Sequence, residues 1–196
     1  MKRAIPILIL CLIAVPVVSQ MAARDTAMMY VHGKAVAIEY GRPSLKGRSV
    51  SDLTSKLEGD RIWRAGSEQI TTLKTEADLK IGEQKVPAGE YSVYLHCPEG
   101  GPFSLVLNKV LGQTLGEIWE AAPENLANEP WPHMNYSDIS DSEVARIPLH
   151  KMSSSEAVDL LTFAFEQEGK NAVLKVAWGD HLWTADVASG KMEGSH

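Results

Sequence analysis

The stretch Val86-Pro87-Ala88-Gly89-Glu90-Tyr91-Ser92-Val93-Tyr94-Leu95-His96 decides the fold class. Pro87, Ala88 and Gly89 spell a turn, because proline presets φ and glycine accepts backbone angles other residues avoid. After that turn Tyr91, Val93 and Leu95 lie on one face and Ser92, Tyr94 and His96 on the other, the period-two pattern of a half-buried strand.

The same pattern spreads in both directions. Downstream, Glu99, Gly100 and Gly101 read as a hairpin connection into Phe103, Leu105 and Leu107. Upstream, Val36, Ile38 and Tyr40 share a face before Gly41 and Pro43, Ile70 to Thr75 is β-branched and threonine-rich, and Leu79 with Ile81 leads into Gly82. Towards the C-terminus Leu161, Phe163 and Phe165 alternate, a turn over Glu168 to Asn171 follows, then Ala172, Leu174, Val176 and Trp178, and a last strand from Leu182 to Val187. This predicts a mainly β fold, an antiparallel sandwich or a barrel-like domain, with one or two short helices in its connections. Sandwich and barrel share this periodicity.

Two stretches break it. Val50, Leu53 and Leu57 recur at helical spacing behind Ser49. Thr114 and Glu117 form a capping-box pair, with Leu115, Ile118, Trp119 and Ala122 on one helical face up to Pro123. From there to about Glu143 runs a connection carrying Pro130, Trp131, Pro132, His133 and Tyr136, of a length expected to be either functional or disordered.

Lys2 and Arg3 precede an uncharged apolar run from Ala4 to Val18, the layout of an export signal with a cut after Ser19. A cut near Ala22 or Ala23 and an uncleaved anchor are the alternatives. The expected plan is a leader over 1–19, a lead-in over 20–33, one β-rich domain over 34–188 and a tail over 189–196, with a periplasmic or extracellular location. Cleavage would leave Cys97 as the single cysteine, so no intrachain disulfide is expected, and a lone cysteine at a strand end reads as a small apolar filler. Losing Lys2 and Arg3 shifts the formal net charge from −6 to −8, a surface that repels nucleic acid and anionic lipid.

Three segments carry a resemblance: Tyr40-Gly41-Arg42-Pro43-Ser44-Leu45-Lys46-Gly47-Arg48, Ile62-Trp63-Arg64-Ala65-Gly66-Ser67-Glu68, and Val86 to Tyr94. In this order and spacing, continued by Leu107-Asn108-Lys109 and Leu174-Lys175-Val176-Ala177-Trp178, the chain resembles domain-of-unknown-function family 2911 over roughly residues 34 to 187. The resemblance implies an exported, β-rich, single-domain protein and supplies no activity. Ser67 stands where the family more often shows asparagine, and the stretch from about Glu117 to Glu143 is longer than usual.

The chemistry concentrates between residues 42 and 64, where Arg42, Lys46, Arg48, Lys56, Arg61 and Arg64 outnumber Asp52, Glu58 and Asp60 in an otherwise acidic protein. Guanidinium forks suit carboxylate or phosphate, so Arg42, Arg48 and Arg64, with Glu68 and the ring of Trp131, are the candidate ligand residues. Their structural reading is that the arginines tie the long connection down by binding loop carbonyls and carboxylates. Trp183 with His181, and Trp119, Trp131 and Tyr136, offer rings for sugar or peptide, or fill core. No catalytic or phosphate-binding motif is present, and the six histidines lack metal-site spacing. No metal and no cofactor is expected.

Two functions follow as expectations. The first is a non-catalytic binding or interaction module for a small molecule, a glycan or an envelope protein. The second is a hydrolase or lyase acting on an envelope anion or glycan, with Arg42 and Arg64 holding the anion and Glu68 or His96 moving protons.

Overall fold

A computed structural model describes residues 23–168 and 171–190. The expected leader and most of the expected tail lie outside the described residues. The domain is mostly antiparallel β, with three short helices and one sheet curled as half a barrel.

In chain order the strands are β1 (Arg24–Val31), β2 (Lys34–Gly41), β3 (Ile62–Trp63), β4 (Thr72–Thr75), β5 (Leu79–Ile81), β6 (Gln84–Val86), β7 (Gly89–His96), β8 (Ser104–Asn108), β9 (Gln113–Thr114), β10 (Pro130–Trp131), β11 (Glu143–Pro148), β12 (His150–Glu168) and β13 (Asn171–Ser189). The large sheet runs β1-β2-β4-β7-β8-β11, with β3 pairing the far end of β7. The second sheet runs β12-β13-β5-β6, and β9 and β10 form a separate ribbon. At Leu149 the chain leaves the large sheet for the second, held there by its N–H donating to the Phe103 carbonyl at 2.8 Å.

The period-two faces meet as expected. Val36, Ile38, Tyr40, Tyr91, Val93, Leu95, Leu105 and Leu107 pack against Leu161, Phe163, Leu174, Val176 and Trp178 in one core. Each large apolar side chain so buried contributes about 1.5–3 kcal/mol of transfer free energy, which lets Cys97 stand without a disulfide partner.

Four details depart from the sequence reading. Residues 24–31, expected in a lead-in, form β1 and pair with β2 along its whole length. The stretches 171–178 and 182–187, read as two strands, are one strand, because Gly179 at φ +62 makes an irregularity in the ladder with β12 instead of a turn. The second helix covers only Leu115–Ile118, here α2. Its capping box forms as predicted, but Trp119 is already extended at φ −139 and stands 52% exposed. The first helix, α1 (Val50–Thr54), is capped by Ser49 and Asp52.

The fourth concerns the long connection. It closes with a 3-10 helix, Tyr136–Ser142, that lays Tyr136 and Ile139 on the outer face of the large sheet. There they join Ile70, Tyr94 and Val106 in a second small core. Tyr94 therefore points away from the main core, as the alternation requires, yet is only 2% exposed. Asn108 pins the cover by donating to the Ile139 carbonyl at 2.7 Å, and Glu143 accepts from the Tyr136 hydroxyl at 2.9 Å and from Arg146 at 2.8 and 2.9 Å.

Candidate functional site

The arginines of residues 42–64 have different fates, decided by what the fold brings near each. Arg42 donates to the Leu161 carbonyl and the Thr162 hydroxyl at 3.2 and 2.9 Å and pairs with Asp25 at 3.3 Å, so it is spent joining β1 to β12. Arg48 turns back on the Leu45 carbonyl at 2.9 Å. Arg61 donates to the carbonyls of Cys97, Leu57 and Thr54 at 2.8, 2.9 and 2.9 Å and meets Glu99 at 3.1 Å. For these three the structural reading holds.

Arg64 differs. Its side chain reaches solvent and makes no hydrogen bond or ion pair among the described residues. It lines a cleft of about 770 Å³ together with residues 56–60, 62, 63 and 132–137 and with Tyr94. The surrounding protein lowers the guanidinium pKa by desolvation, while the charge of Glu68 acts in the opposite direction.

Tyr94 carries the other signal. Its hydroxyl is buried without a hydrogen bond of full geometry; burial raises its pKa, while the Ser92 side chain and the His133 backbone stand close enough as donors to lower it. The ring is fixed edge-on against Tyr136 at 5.0 Å.

The remaining candidates fall elsewhere. Glu68 sits at φ +60 outside the cleft lining and acts on Arg64 through charge. Trp131 is held in the ribbon opposite Gln113, with its indole N–H buried and unpaired, and also stands outside the lining. His96 lies across from Ile62; desolvation first, then Arg146, lowers its pKa, while Glu143 and Asp60 oppose. Arg42, Arg64, Glu68 and His96 therefore do not gather in one pocket. Trp183 is a core residue, stacked on Phe103 at 5.0 Å and 4% exposed. Among the described residues no three His, Cys, Asp or Glu side chains come together as a metal site requires.

Cys97 is buried beneath the same segment, and burial pushes its thiol pKa up to about 12 despite the nearby Arg61. A thiol in that state is no nucleophile at neutral pH. Treatment of the native protein with iodoacetamide at pH 8 is expected to leave it unlabelled, whereas labelling in urea goes to completion; fast native labelling would contradict the packing.

The residues that build the cleft and escaped the sequence reading are Trp63, Asp60, Tyr94 and Asn135. Tyr94 had a legible signal, an outward position on a strand beside a long connection.

The family described as Protein of unknown function (DUF2911) matches residues 22–187. The chain belongs to the DUF2911 family. The match begins earlier than the residue motifs implied and takes in β1. No curated protein and no solved structure matches it. In this DUF2911 chain the segment Tyr40-Gly41-Arg42 is a seam: the Tyr40 hydroxyl donates to the Phe163 carbonyl at 3.3 Å, its ring packs edge-on against Phe163, and Gly41 backs onto Ser67. The second segment places Gly66 against Gly41 and Thr71, and so sets where Arg64 leaves β3.

Proposed function

We propose that this DUF2911 domain is a non-catalytic binding module, exported to the periplasm or the exterior, that holds an anionic ligand at Arg64 in the cleft beside the 132–137 connection. The observation that carries the reading is Arg64, exposed in the concavity and, unlike Arg42, Arg48 and Arg61, not spent on a carbonyl or carboxylate among the described residues. A ligand carboxylate or phosphate would give the Arg64 fork the acceptors that the protein gives its other arginines. Export rests on the charged and apolar pattern of residues 2–18.

The hydrolase or lyase alternative has less support. It needs Arg42 beside Arg64, and Arg42 is committed to Asp25, Leu161 and Thr162. Of the groups expected to move protons, neither Glu68 nor His96 lines the cleft; the titratable groups that do are Glu58, Asp60 and His133.

A thermal-unfolding screen against acetate, sulfate and inorganic phosphate tests the reading. A native-state anion present at about a hundred times its dissociation constant adds about 2.7 kcal/mol, a rise of roughly 5–10 °C for a domain of this size. Sulfate stabilises most proteins through surface exclusion, so the decisive quantity is the part of the rise lost in Arg64→Met. Equal rises in the two proteins for every anion sink the proposal.

A further inference from the structure

The outer edge of β1 is a surface of another kind. His32 and Gly33, at φ +51 and +79, make a two-residue hairpin turn with both central residues left-handed between β1 and β2. Such a turn makes Val31 and Lys34 a hydrogen-bonded pair, and the alternation of an antiparallel ladder then gives the N–H and C=O of Met29, Ala27 and Asp25 to β2 as well. The Arg42 N–H on the Ala23 carbonyl at 3.0 Å continues the same series. The backbone groups of Thr26, Met28 and Tyr30 therefore point the other way, and among the described residues no strand pairs with β1 on that side.

Part of this edge is closed. The Thr26 N–H donates to the Asp25 carboxylate at 2.8 Å, and Asp25 is held by Arg42 at 3.3 Å. Met28 and Tyr30 keep two N–H and two C=O groups facing out, and their side chains, on the outer face of the sheet, are 53% and 64% exposed. Sheets blunt such edges with proline, charge, bulges or a cover. β11 has a bulge between Glu143 and Ala145 and ends at Pro148, β6 is three residues long with Lys85 at its centre, and β12 has Asp159 and Leu161 bonded to Leu45 and Pro43. From Thr26 to Val31, β1 carries no proline, glycine or charge.

The open groups match themselves. Two copies of β1 laid antiparallel about a two-fold axis at Met29 set Met28 opposite Tyr30 of the second copy, and each such pair exchanges two hydrogen bonds. Both N–H and both C=O groups of each copy are then satisfied, and the Thr26 N–H stays on Asp25. On the outer face the Met28 thioether meets the Tyr30 ring of the second copy, a favourable sulfur–aromatic contact. Arg24 and Asp25 lie beyond the paired stretch, so no like charges face each other across the seam of a chain whose formal net charge is −6.

We infer that β1 is a self-association edge: two copies of this chain join by antiparallel β1–β1 pairing about Met29, with Met28 against Tyr30 of the second copy. Neither side chain lines the Arg64 cleft, so this stands apart from the anion site.

Sedimentation equilibrium of the chain, produced with its own leader and processed by the cell, tests it. The paired stretch is short beside a standard interface of about 1,200–2,000 Å², so a dimer with a dissociation constant on the order of 10–100 µM is expected. Met28→Lys with Tyr30→Lys sets like charges in both pairs and is expected to weaken the dimer about tenfold or more. Met28→Lys with Tyr30→Glu opposes unlike charges and is expected to bring the constant back to within about threefold of wild type. Both positions are exposed, so unchanged circular dichroism spectra are expected. A wild-type chain that stays monomeric at about 1 mM overturns the inference; if its Tyr30 amide resonance then shifts with an added Thr-Val-Thr-Val-Thr peptide, the edge serves a foreign strand instead. A dimer that the double-lysine variant leaves unchanged also overturns it. So does a Lys–Glu variant as weak as the double-lysine one, because pairing about Met28 would oppose the two introduced lysines.

Discussion

Gly41→Ala is expected to destabilise the domain by about 3 kcal/mol or more, read as a fall of roughly 6–12 °C in the unfolding midpoint. A Cβ at Gly41 would lie 2.3 Å from the Ser67 carbonyl oxygen and 2.8 Å from its hydroxyl oxygen. The nearest obstacle is backbone, so no side-chain rotation relieves it. The Ser67 backbone cannot retreat easily, because Ala65 and Glu68 hold φ values of +49 and +60, and a Cβ on the intervening Gly66 would itself meet Thr71 Oγ1 at 2.6 Å. Gly59→Ala separates collision from conformational strain. Gly59 has φ +56 and nothing within 4 Å of its Cβ position, so only the left-handed cost of about 1–2 kcal/mol applies. Urea unfolding of the two variants is expected to show Gly41→Ala with the larger loss; equal losses would mean the seam between β2 and residue 67 yields more than this packing allows. Because Arg64 lies three residues from Ser67, Gly41→Ala is also expected to blunt the anion response in whatever protein remains folded.

Arg61→Met is the second large effect, at about 3 kcal/mol. Three backbone carbonyls, those of Thr54, Leu57 and Cys97, lose a charged donor together, and hydrogen bonds to charged groups are worth about 1.5–3 kcal/mol each when partly buried. Rehydration of the outer carbonyls recovers part of the sum, which is why the expected loss is nearer one strong bond and a half than three. The ion pair to Glu99 adds little, since the Glu99 side chain is 83% exposed. Glu99→Gln is therefore expected to change stability by less than about 0.5 kcal/mol. Arg61→Lys keeps the charge yet offers no planar fork to three diverging carbonyls, and is expected to recover less than half of the loss. Chemical denaturation of the three variants checks this. A Glu99→Gln loss equal to that of Arg61→Met would move the weight from the carbonyls to the ion pair.

The Gly41 contact accounts for the look of two family-bearing segments. Tyr40-Gly41-Arg42 and Ala65-Gly66-Ser67 meet across the space between β2 and β4 at distances only glycine permits. Motif and seam are the same residues.

Much of this was legible along the chain. The turn at Pro87 to Gly89, the inward faces of β2, β7 and β8, and the capping boxes at Ser49 and Thr114 all follow from spacings of two to four residues. Such features are set by bond geometry and local hydrogen bonding, which a linear sequence records directly. Strand continuity through Gly179 was not legible, because a glycine that makes an irregularity and one that makes a turn look alike until the partner strand is known.

The amino-acid order alone determined a β-rich, antiparallel domain and a segment unusually rich in arginine. Only the tertiary structure decided which arginine is available. Arg42 and Arg61 find acceptors up to 120 positions away, at Thr162 and Cys97, while Arg64 finds an open cleft that residues 132–137 also line. Guanidinium groups of one chemistry are sorted by neighbours remote in the chain, and hydrogen-bond partners at that separation leave no mark on local periodicity.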